Sequence, residues 1–465
     1  MFKCTGICST CGKCKDSAMI SGANDRKTKI TKYPEDFAAR TGDEGYGVAF
    51  DIGTTTVVGM LWDLKQGKQL GTCAKTNPQN EFGMDVISRI TFCSQNEGNL
   101  EILNEKITRC VDEITSMLCE ETGISQGDIR EVTVCGNTTM SHLLAGHPPK
   151  TLAVAPFSPA YTGKIEMSGK EMGLNMSENG KVTVLPNIAG HVGGDITAGL
   201  VASRVLDEKE LTVFIDIGTN GEIVLVDRDK AYACSTAAGP AFEGSAIKHG
   251  MRAAKGAIEK VKITDDGDVL FKTIGECEPQ GICGSGLIDA VSQMLKAKLI
   301  SKTGRLINAE DAEKKKMPKA FAERLVTVGG EKRFILVSKT SGEDIVITQN
   351  DIREVQLAKG AISAGISLML EEACKSEGDI AKIVVAGAFG SYIDKESAVS
   401  IGILPKLDTE KIVSAGNTAG AGVSMALMSE KEMKLAEELV EGIIHVDLAA
   451  KENFQEIYLN AMAFR

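Results

Sequence analysis

The stretch Asp51-Ile52-Gly53-Thr54-Thr55-Thr56 decides the fold, because the chain carries a second version of it, Asp216-Ile217-Gly218-Thr219-Asn220-Gly221. Each copy follows a short apolar run that is rich in β-branched and aromatic residues, and another apolar run comes after it. A strand, a turn and a second strand predict a β-hairpin. One Asp-x-Gly turn joins ordinary hairpins in many proteins. Two copies in one chain indicate a duplicated unit, with one loop on each side of a cleft.

The residue types of these turns favour a phosphate ligand. Glycine allows the backbone to bend, and the N–H groups of a turn with small hydroxyl residues can close over phosphate oxygens. The leading aspartate stands at the end of a strand, where it can hold Mg²⁺, usually through water. The pair of turns therefore predicts that the chain binds a nucleotide.

Composition narrows the class of protein. The 465 residues suffice for two or three domains, and 43% hydrophobic and 25% charged residues are ordinary values for a soluble globular protein. The net charge of −11 argues against a nucleic-acid-binding surface. No apolar run approaches the roughly 18–20 residues of a membrane span, and the N-terminus lacks a hydrophobic signal core. We expect a cytoplasmic protein with no membrane partner.

Four of the 13 cysteines are clustered near the N-terminus, with the spacing C-x3-C-x2-C-x2-C. They are Cys4, Cys8, Cys11 and Cys14. Structural zinc sites usually pair two cysteine turns across a longer loop, whereas tight x2 spacing is typical of [4Fe–4S] clusters. A plant-type [2Fe–2S] site begins with C-x4-C-x2-C. The spacing favours [4Fe–4S] over [2Fe–2S], and zinc and free thiols are the alternatives.

The composition predicts three segments. Residues 1–45 form a cysteine-rich loop and linker, residues 46–205 a first lobe and residues 206–465 a second lobe. The linker, residues 15–45, is polar and shows little periodicity, which indicates a loosely attached arm that could extend roughly 100 Å. The alternative is an arm that is docked on the globular body.

Several other residues are candidates for a functional site. Asp195 lies near the start of a small-residue helix, where it is either an N-cap or the group that orients or deprotonates an attacking water. Cys135 ends a strand and is interpreted as a buried thiol rather than a nucleophile. The glycine-rich stretches 387–390 and 416–422 each follow a strand, and bare backbone there would let the adenosine ring of a nucleotide lie flat.

Three motifs are absent from the sequence, and each absence excludes or weakens a class. There is no G-x-x-x-x-G-K-[ST], so the chain is not a P-loop enzyme. No G-x-G-x-x-G follows a strand, which weakens a dinucleotide-binding interpretation. No G-x-S-x-G is present, so nothing indicates a hydrolase nucleophile elbow.

The ordered set of motifs resembles the superfamily of actin, sugar kinase and Hsp70-like ATPases (ASKHA). The matching parts are Asp51–Thr56, the helix from Gly194, Asp216–Glu222 and Gly387–Gly390. Within that superfamily, residues 46–465 look like the ATPase portion of reductive activators of corrinoid proteins. The stretches that carry this closer resemblance are Asn137–Met140, Pro156–Pro159, Gly281–Gly286 and Ala461–Phe464.

The resemblance implies a two-lobed α/β, actin/hexokinase-like ATPase of duplicated RNase H-like domains, with a short N-terminal Fe–S segment. It also implies roles for individual residues. Asp51 and Asp216 would position Mg²⁺ and its water, and Asp195 would lie near the water-activating position. The loops would bind the phosphates of ATP, and two glycines would border adenosine; these residues are Gly53, Thr54, Thr55, Thr56, Gly218, Thr219, Asn220, Gly387 and Gly390.

The implied activity is an ATP-driven electron transfer that reduces Co(II) corrinoid to Co(I) on a methyl-transfer protein. The implied partners are a corrinoid protein or another redox acceptor, a reduced ferredoxin-like donor and a second copy of the chain in a homodimer. Relatives carry a complete ferredoxin domain at one end, whereas this sequence has only the cysteine loop. The alternatives are an electron donor like the 2-hydroxyacyl-CoA dehydratase activators, a small-molecule kinase in which Asp195 deprotonates a hydroxyl, and a zinc-binding scaffold.

Overall fold

A computed structural model describes residues 33–340, 342–390 and 392–465. The described chain groups into two compact units. The first unit contains residues 33–206 and 417–445, and the second contains residues 207–416 and 446–465. Sequence reasoning treated everything after residue 206 as one continuous lobe, whereas packing groups residues 417–445 with the first unit.

The described residues contain strands and helices in roughly alternating blocks. The strands are β1 (Tyr46–Ile52), β2 (Thr56–Asp63), β3 (Lys68–Thr76), β4 (Ile129–Gly136), β5 (Ile165–Ser168), β6 (Lys181–Val184), β7 (Thr212–Ile217), β8 (Gly221–Asp227), β9 (Lys230–Thr236), β10 (Ala257–Ile263), β11 (Val269–Thr273), β12 (Gly281–Ile282), β13 (Leu325–Val328), β14 (Glu331–Val337), β15 (Ile345–Thr348), β16 (Lys382–Ala386), β17 (Ile412–Gly416) and β18 (Ile443–His445). The α-helices are α1 (Val86–Gln95), α2 (Asn99–Thr122), α3 (Thr138–Leu144), α4 (Gly194–Ser203), α5 (Gly284–Lys296), α6 (Ala309–Lys314), α7 (Lys319–Arg324), α8 (Gln349–Glu372), α9 (Gly387–Gly390), α10 (Lys395–Ile401), α11 (Thr418–Met428), α12 (Glu430–Gly442) and α13 (Phe454–Ala461).

The first unit is built on a six-stranded sheet with the order β3-β2-β1-β4-β6-β5. Strands β1 and β2 are antiparallel, as the predicted hairpin requires, while β1 runs parallel to β4 and β4 runs parallel to β6. Strand β1 is central, and Val48, Ala49 and Phe50 are completely buried. A strand that is covered on both faces needs a continuous apolar run, which is what precedes Asp51 in the sequence.

The second unit repeats this arrangement with the strand order β17-β16-β7-β8-β9. Strands β7 and β8 form the second hairpin, and β16 runs parallel to both β7 and β17. Each unit therefore has a three-stranded antiparallel meander that continues into parallel strands, with its Asp-led turn after the central strand. The predicted duplication and mixed α/β fold are confirmed.

Helix α2 covers the sheet of the first unit with one apolar stripe. Its apolar residues recur at three- and four-residue spacing, and they are buried. They are Leu103, Ile107, Cys110, Val111, Ile114 and Leu118. The helix ends at Gly123, whose positive φ of 71° is the left-handed conformation that favours glycine, and whose N–H bonds the Cys119 carbonyl.

Helices α4 and α11 pack against each other at backbone distance in the first unit. A Cβ atom at Gly422 would lie only 1.8 Å from the carbonyl oxygen of Ala198. No side chain fits in that space, so glycine at residue 422 sets the separation of the two helices. The apolar, small-residue composition of both helices follows from this close contact.

Residues 33–45 are docked on the first unit, which is the alternative that the sequence left open for the arm. The Arg40 N–H donates to the Met428 carbonyl at 2.7 Å. Asp36 accepts hydrogen bonds from Nε and Nη2 of Arg204. Nη1 and Nη2 of the same arginine form a bidentate pair with the buried Glu432 at 2.6 and 2.7 Å. The earlier part of the arm, with Cys4, Cys8, Cys11 and Cys14, lies outside the described residues.

Tyr33 is the first residue of this docked segment, and its ring lies edge-on to Trp62 with 6.0 Å between ring centroids. The Trp62 indole N–H donates to the Ser424 hydroxyl at 3.3 Å. Burial raises the pKa of Tyr33 to about 12. The docked segment therefore packs beside the residues that contact helix α11.

In the described part of the chain, no helix is both long and apolar enough to cross a membrane.

His142 has a structural role in the first unit. Its Nε2 accepts from the Ala160 backbone N–H at 2.9 Å. Because that backbone group can only donate, Nδ1 carries the ring proton and donates to the Thr138 carbonyl at 2.7 Å. The imidazole stacks on Tyr161, and burial lowers the pKa of His142 to about 4.

We expect Gly422→Ala to destabilise the first unit by about 3 kcal/mol or more, because the helices α4 and α11 must separate to admit a methyl group. Gly442→Ala is the matched control, since a Cβ at that helix end meets nothing within 4 Å. Alanine favours helix, so the control should be neutral or more stable by at most ~1 kcal/mol. The measurement is thermal unfolding by circular dichroism. Equal midpoints for the two variants would contradict the backbone contact.

His142 predicts a pH dependence of stability. The unfolded chain binds a proton near the ordinary pKa of 6.5, whereas folded His142 binds it only near pH 4. Stability should therefore fall as the pH falls from 6.5 to 4, by at most roughly 3 kcal/mol from this residue. Urea unfolding at pH 7.0, 6.0 and 5.0 checks this. His142→Gln should flatten the dependence and His147→Gln, an exposed histidine, should not; the reverse pattern would refute the assignment.

Candidate functional site

The first Asp-led turn is closed by its own backbone. The Gly53 N–H donates to the Thr56 carbonyl at 2.9 Å. A Cβ atom at Gly53 would lie 2.8 Å from that same oxygen, so the turn requires glycine for space. The φ angle of Gly53 is not among the positive values, so the predicted need for unusual backbone freedom is not the reason for glycine at this position.

Two asparagines hold this turn from the strands beside it. Asn77, which is completely buried, donates from Nδ2 to the Gly53 carbonyl at 3.0 Å and from its backbone to the Thr55 carbonyl at 2.9 Å. Asn137 follows β4 and donates from Nδ2 to the Thr54 hydroxyl at 2.9 Å. These bonds fix both the backbone and one hydroxyl group of the turn.

The charges of Asp51 and Asp195 both act on the Cys135 thiol in the first unit. Burial is the main cause that raises the pKa of Cys135 well above its ordinary value, and the negative charges of Asp51 and Asp195 raise it further. The thiol donates to the Ala419 carbonyl and is completely inaccessible. Cys135 is therefore a buried thiol, as predicted, and it lies within electrostatic range of both carboxylates.

Asp195 is not the N-cap of α4. Gly193 is the N-cap, and a Cβ there would lie 2.4 Å from the Cα of Asn137, so the helix begins directly on the turn that follows β4. The Asn187 side chain accepts from the Gly194 N–H at 3.1 Å. Asp195 is half-buried, and the protein packed around its carboxylate raises the pKa to about 6, which suits a base near neutral pH.

The second Asp-led turn is closed in the same way as the first. The Gly218 N–H donates to the Asn220 carbonyl at 2.9 Å. The Thr219 hydroxyl donates to Glu243 at 2.5 Å. Asp216 lies directly across the hairpin from Glu222. The carboxyl end of β7 thus gathers acidic side chains and a small hydroxyl group at one place.

The glycines of 387–390 lie against the second unit's own chain. A Cβ at Gly387, whose φ is +83°, would lie 2.4 Å from a carboxylate oxygen of Asp216. A Cβ at Gly390 would lie 2.6 Å from the Val385 side chain. Gly387 therefore brings the turn after β16 against the carboxylate at the end of β7, because neighbouring parallel strands end at one edge of the sheet.

The glycine-rich stretch 416–422 was expected to contact adenosine, and in the structure two of its glycines lie against other parts of the chain. The carbonyl of Ala198 occupies the space in which a side chain at residue 422 would lie. A Cβ at Gly420 would lie 2.8 Å from the Asn417 side chain, which caps α11. Close contacts within the chain therefore explain why these two positions are glycine, and the contact of this stretch with adenosine stays a prediction.

Mg²⁺ fits the carboxylates of these turns only as a hydrated ion. In residues 33–340, 342–390 and 392–465, no three His, Cys, Asp or Glu side chains converge to hold a metal ion directly. Mg²⁺ usually keeps several waters and binds through one or two carboxylates together with substrate phosphates. Asp51 and Asp216, each at the end of a central strand, match that requirement.

The described cysteines are all free thiols, and most are buried. Cys283 donates to the Ile258 carbonyl at 3.3 Å, and Cys277 to the Ile274 carbonyl at 3.6 Å. Both thiols therefore have hydrogen-bond partners in the protein. The predicted iron–sulfur ligands fall in the part of the chain that the structure does not describe.

Sequence reasoning missed three residues of this site. Arg89 donates to the Thr54 carbonyl at 2.5 Å, and Asn77 and Glu243 bond the two turns as described above. Asn137 was visible as a polar residue at a strand end. Arg89 gave no signal, because its partners are 6 to 51 residues away and none of them forms a motif with it.

Comparisons with known proteins agree on one family. Residues 210–465 match the family described as the C-terminal domain of RACo, the ASKHA domain, and residues 46–208 match the RACo middle region. The corrinoid activation enzyme RamQ of Eubacterium limosum is 39% identical over 417 residues, which are 89% of this chain and 69% of RamQ. A Co(II) methylated amine-specific corrinoid protein reductase of Methanosarcina barkeri is 27% identical over 90% of this chain and 77% of its own.

A solved structure shares the fold. It is described as a reductive activator for corrinoid, iron-sulfur protein, and it matches with a TM-score of 0.80 and 38% identity. The match covers 92% of this chain and 66% of the activator, so the chain spans about two-thirds of that relative's length. With family matches along nearly all of its described residues, the chain belongs to the RACo family of ASKHA-domain proteins.

Proposed function

We propose that this protein is an ATP-dependent reductive activator, which uses an iron–sulfur cluster to reduce Co(II) corrinoid to Co(I) on a corrinoid protein. The observation that carries the proposal is the pair of Asp-led turns, each closed by a backbone hydrogen bond at the end of a central strand. The relatives of the chain are named for corrinoid activation or corrinoid protein reduction. The acceptor is a corrinoid protein, the donor is a reduced ferredoxin-like protein, and the protein acts as a cytoplasmic homodimer.

In the first unit, the N–H groups and hydroxyls of Thr54, Thr55 and Thr56 bind phosphate oxygens beside Gly53. Asp195 takes the proton from the attacking water, for which a pKa of about 6 leaves it deprotonated at neutral pH. Asp51 would hold a hydrated Mg²⁺, which would neutralise part of the phosphate charge when bound. Cys135 stays a neutral thiol behind both carboxylates and takes no part.

In the second unit, Gly218, Thr219 and Asn220 would bind phosphate oxygens, and Asp216 would hold a hydrated Mg²⁺. The bond from Thr219 to Glu243 holds the hydroxyl in place before the ligand arrives. Gly387 and Gly390 border adenosine from the turn after β16. Because Gly387 lies against the Asp216 carboxylate, this border and the phosphate loop move together.

Cys4, Cys8, Cys11 and Cys14 are the residues that would hold a [4Fe–4S] cluster, which supplies one-electron transfer when bound. Their C-x3-C-x2-C-x2-C donor set fits iron–sulfur chemistry. ATP is required because delivering a low-potential electron to Co(II) is uphill unless a conformational cycle accompanies it. The chemical steps assigned to the chain's own residues are phosphate binding, water activation and the positioning of the arm.

Anaerobic spectroscopy tests the proposal as a whole. Reduced protein should contain iron and sulfide, show an iron–sulfur EPR signal, and convert a Co(II) corrinoid protein to Co(I) only when ATP is present. Zinc without iron would end the electron-transfer assignment. ATP consumption that produces a phosphorylated small molecule would instead support a kinase. Transfer to a dehydratase but to no corrinoid protein would change the acceptor.

We expect Asp216→Asn to reduce ATP hydrolysis about 100-fold or more, because the side chain loses the charge that holds Mg²⁺ while its shape is kept. The iron content and the EPR signal should not change. Asp229→Asn, an exposed aspartate on the β8–β9 turn, is the control and should hydrolyse ATP normally. Full activity of Asp216→Asn would mean that the Mg²⁺ site is misplaced.

Replacing Cys8 and Cys11 together by Ser should remove the visible absorption of the cluster and abolish electron delivery, since hydroxyls are poor ligands for iron. ATP binding, followed by calorimetry, should be retained. The control replaces Cys277 by Ser, which should leave the absorption spectrum unchanged. If the absorption survives in the double variant and is lost in the control, the cluster lies at Cys277.

A further inference from the structure

Arg89 in helix α1 is the largest side chain that is completely buried in the described protein. Its guanidinium makes five hydrogen bonds, and it therefore uses the full donor capacity of an arginine. The acceptors are the Gly83 carbonyl at 3.0 Å, Gln79 Oε1 at 3.1 Å, the Met140 sulfur at 3.1 Å, the Thr54 carbonyl at 2.5 Å and Asn80 Oδ1 at 2.5 Å. Every one of these acceptors is electrically neutral.

No carboxylate of the described residues lies within ion-pair distance of Arg89. Asp85 is the carboxylate whose charge acts on the pKa of Arg89. Asp85 is the N-cap of α1, and it accepts hydrogen bonds from the Ser88 N–H and hydroxyl at 2.8 Å each. Burial accordingly lowers the pKa of Arg89 to about 10, against which the Asp85 charge acts weakly. A buried charge is normally paired, so this cation lacks its expected counter-charge.

The bonds to the turn determine where its N–H groups point. Asn77 holds the Gly53 carbonyl, and Arg89 holds the Thr54 carbonyl, on the same inner side. In a planar trans peptide, the N–H of the next residue points opposite to the carbonyl. The N–H groups of Thr54 and Thr55 therefore point outward, away from Arg89. Successive N–H groups on one side form an anion-binding concavity.

We infer that Arg89 is a positioning residue for the nucleotide, and that the phosphate bound outside the Asp51–Thr56 turn is the counter-charge of this buried cation. The inference rests on the proposed function and adds a residue that no motif contains. Arg89 never touches the ligand; it acts through the Thr54 peptide, which separates it from phosphate by about 6–7 Å.

The buried setting makes this interaction stronger than its distance suggests. A fixed peptide, rather than bulk water, lies between the guanidinium and the anion, so screening is weak. The attraction grows with ligand charge, and it should be largest for ATP, smaller for ADP and absent for adenosine. A purely structural brace would affect all three ligands alike, because each would meet the same distorted turn.

The experiment measures the dissociation constants of ATP, ADP and adenosine by calorimetry for the full-length protein. We expect Arg89→Gln to weaken ATP binding about 10- to 100-fold, to weaken ADP binding less, and to leave adenosine binding within about twofold. Arg89→Lys keeps the positive charge but lacks the planar guanidinium, and it should recover most of the ATP affinity. Arg109→Met, in which an arginine side chain with 81% exposure is replaced, is the control and should bind all three ligands normally.

Each result distinguishes a role of the Arg89 charge from a purely structural role. If Arg89→Gln and Arg89→Lys bind ATP equally weakly, or if adenosine binding falls as much as ATP binding, the charge role is overturned and Arg89 is only a brace. Circular dichroism verifies that each variant is folded; should Arg89→Gln not fold, the ATP-to-adenosine ratio of the Arg89→Lys variant must match that of the unaltered protein. Failure of the unaltered protein to bind ATP would refute the proposed function instead.

Discussion

The structure depends on where a buried central strand stops. Strands β1 and β7 are each buried along most of their length, and in each an aspartate is the last residue but one before the turn. The parallel neighbour of each strand, β4 or β16, ends at the same edge of its sheet. Carboxylates, amide side chains and glycines therefore gather at that edge, although in sequence they are far apart.

The parallel register explains how the first unit assembles its polar groups. Asp51 is aligned with Cys135 across β1 and β4, so Asn137 follows at the level of the turn. Helix α4 begins on Asn137, where Gly193 leaves no room for a side chain, and Asp195 follows in the first turn of this helix. The charge of Asp195, like that of Asp51, acts on the Cys135 thiol. One sheet register and one glycine thus position two acidic groups.

Most of the fold could be predicted from the sequence because the relevant signals are local. The apolar runs around both turns, the stripe of α2 and its glycine end are readable within a few residues. The path of residues 417–445 could not be predicted, because membership of the first unit depends on a contact between Gly422 and Ala198, more than 200 residues apart. Arg89 and Glu243 were missed for the same reason. The Asn417 cap and Gly422 show how a glycine-rich stretch after a strand can serve helix packing.

Trp62 is the single tryptophan of the sequence, and its indole lies between Ser424 of α11 and the ring of Tyr33 on the docked segment. Its intrinsic fluorescence therefore comes from one place in the protein. Undocking of residues 33–45 would remove the tyrosine and admit water beside the indole, which shifts emission to longer wavelength. The protein thus contains a native optical reporter of its N-terminal segment, and no attached dye is needed to follow that segment in solution.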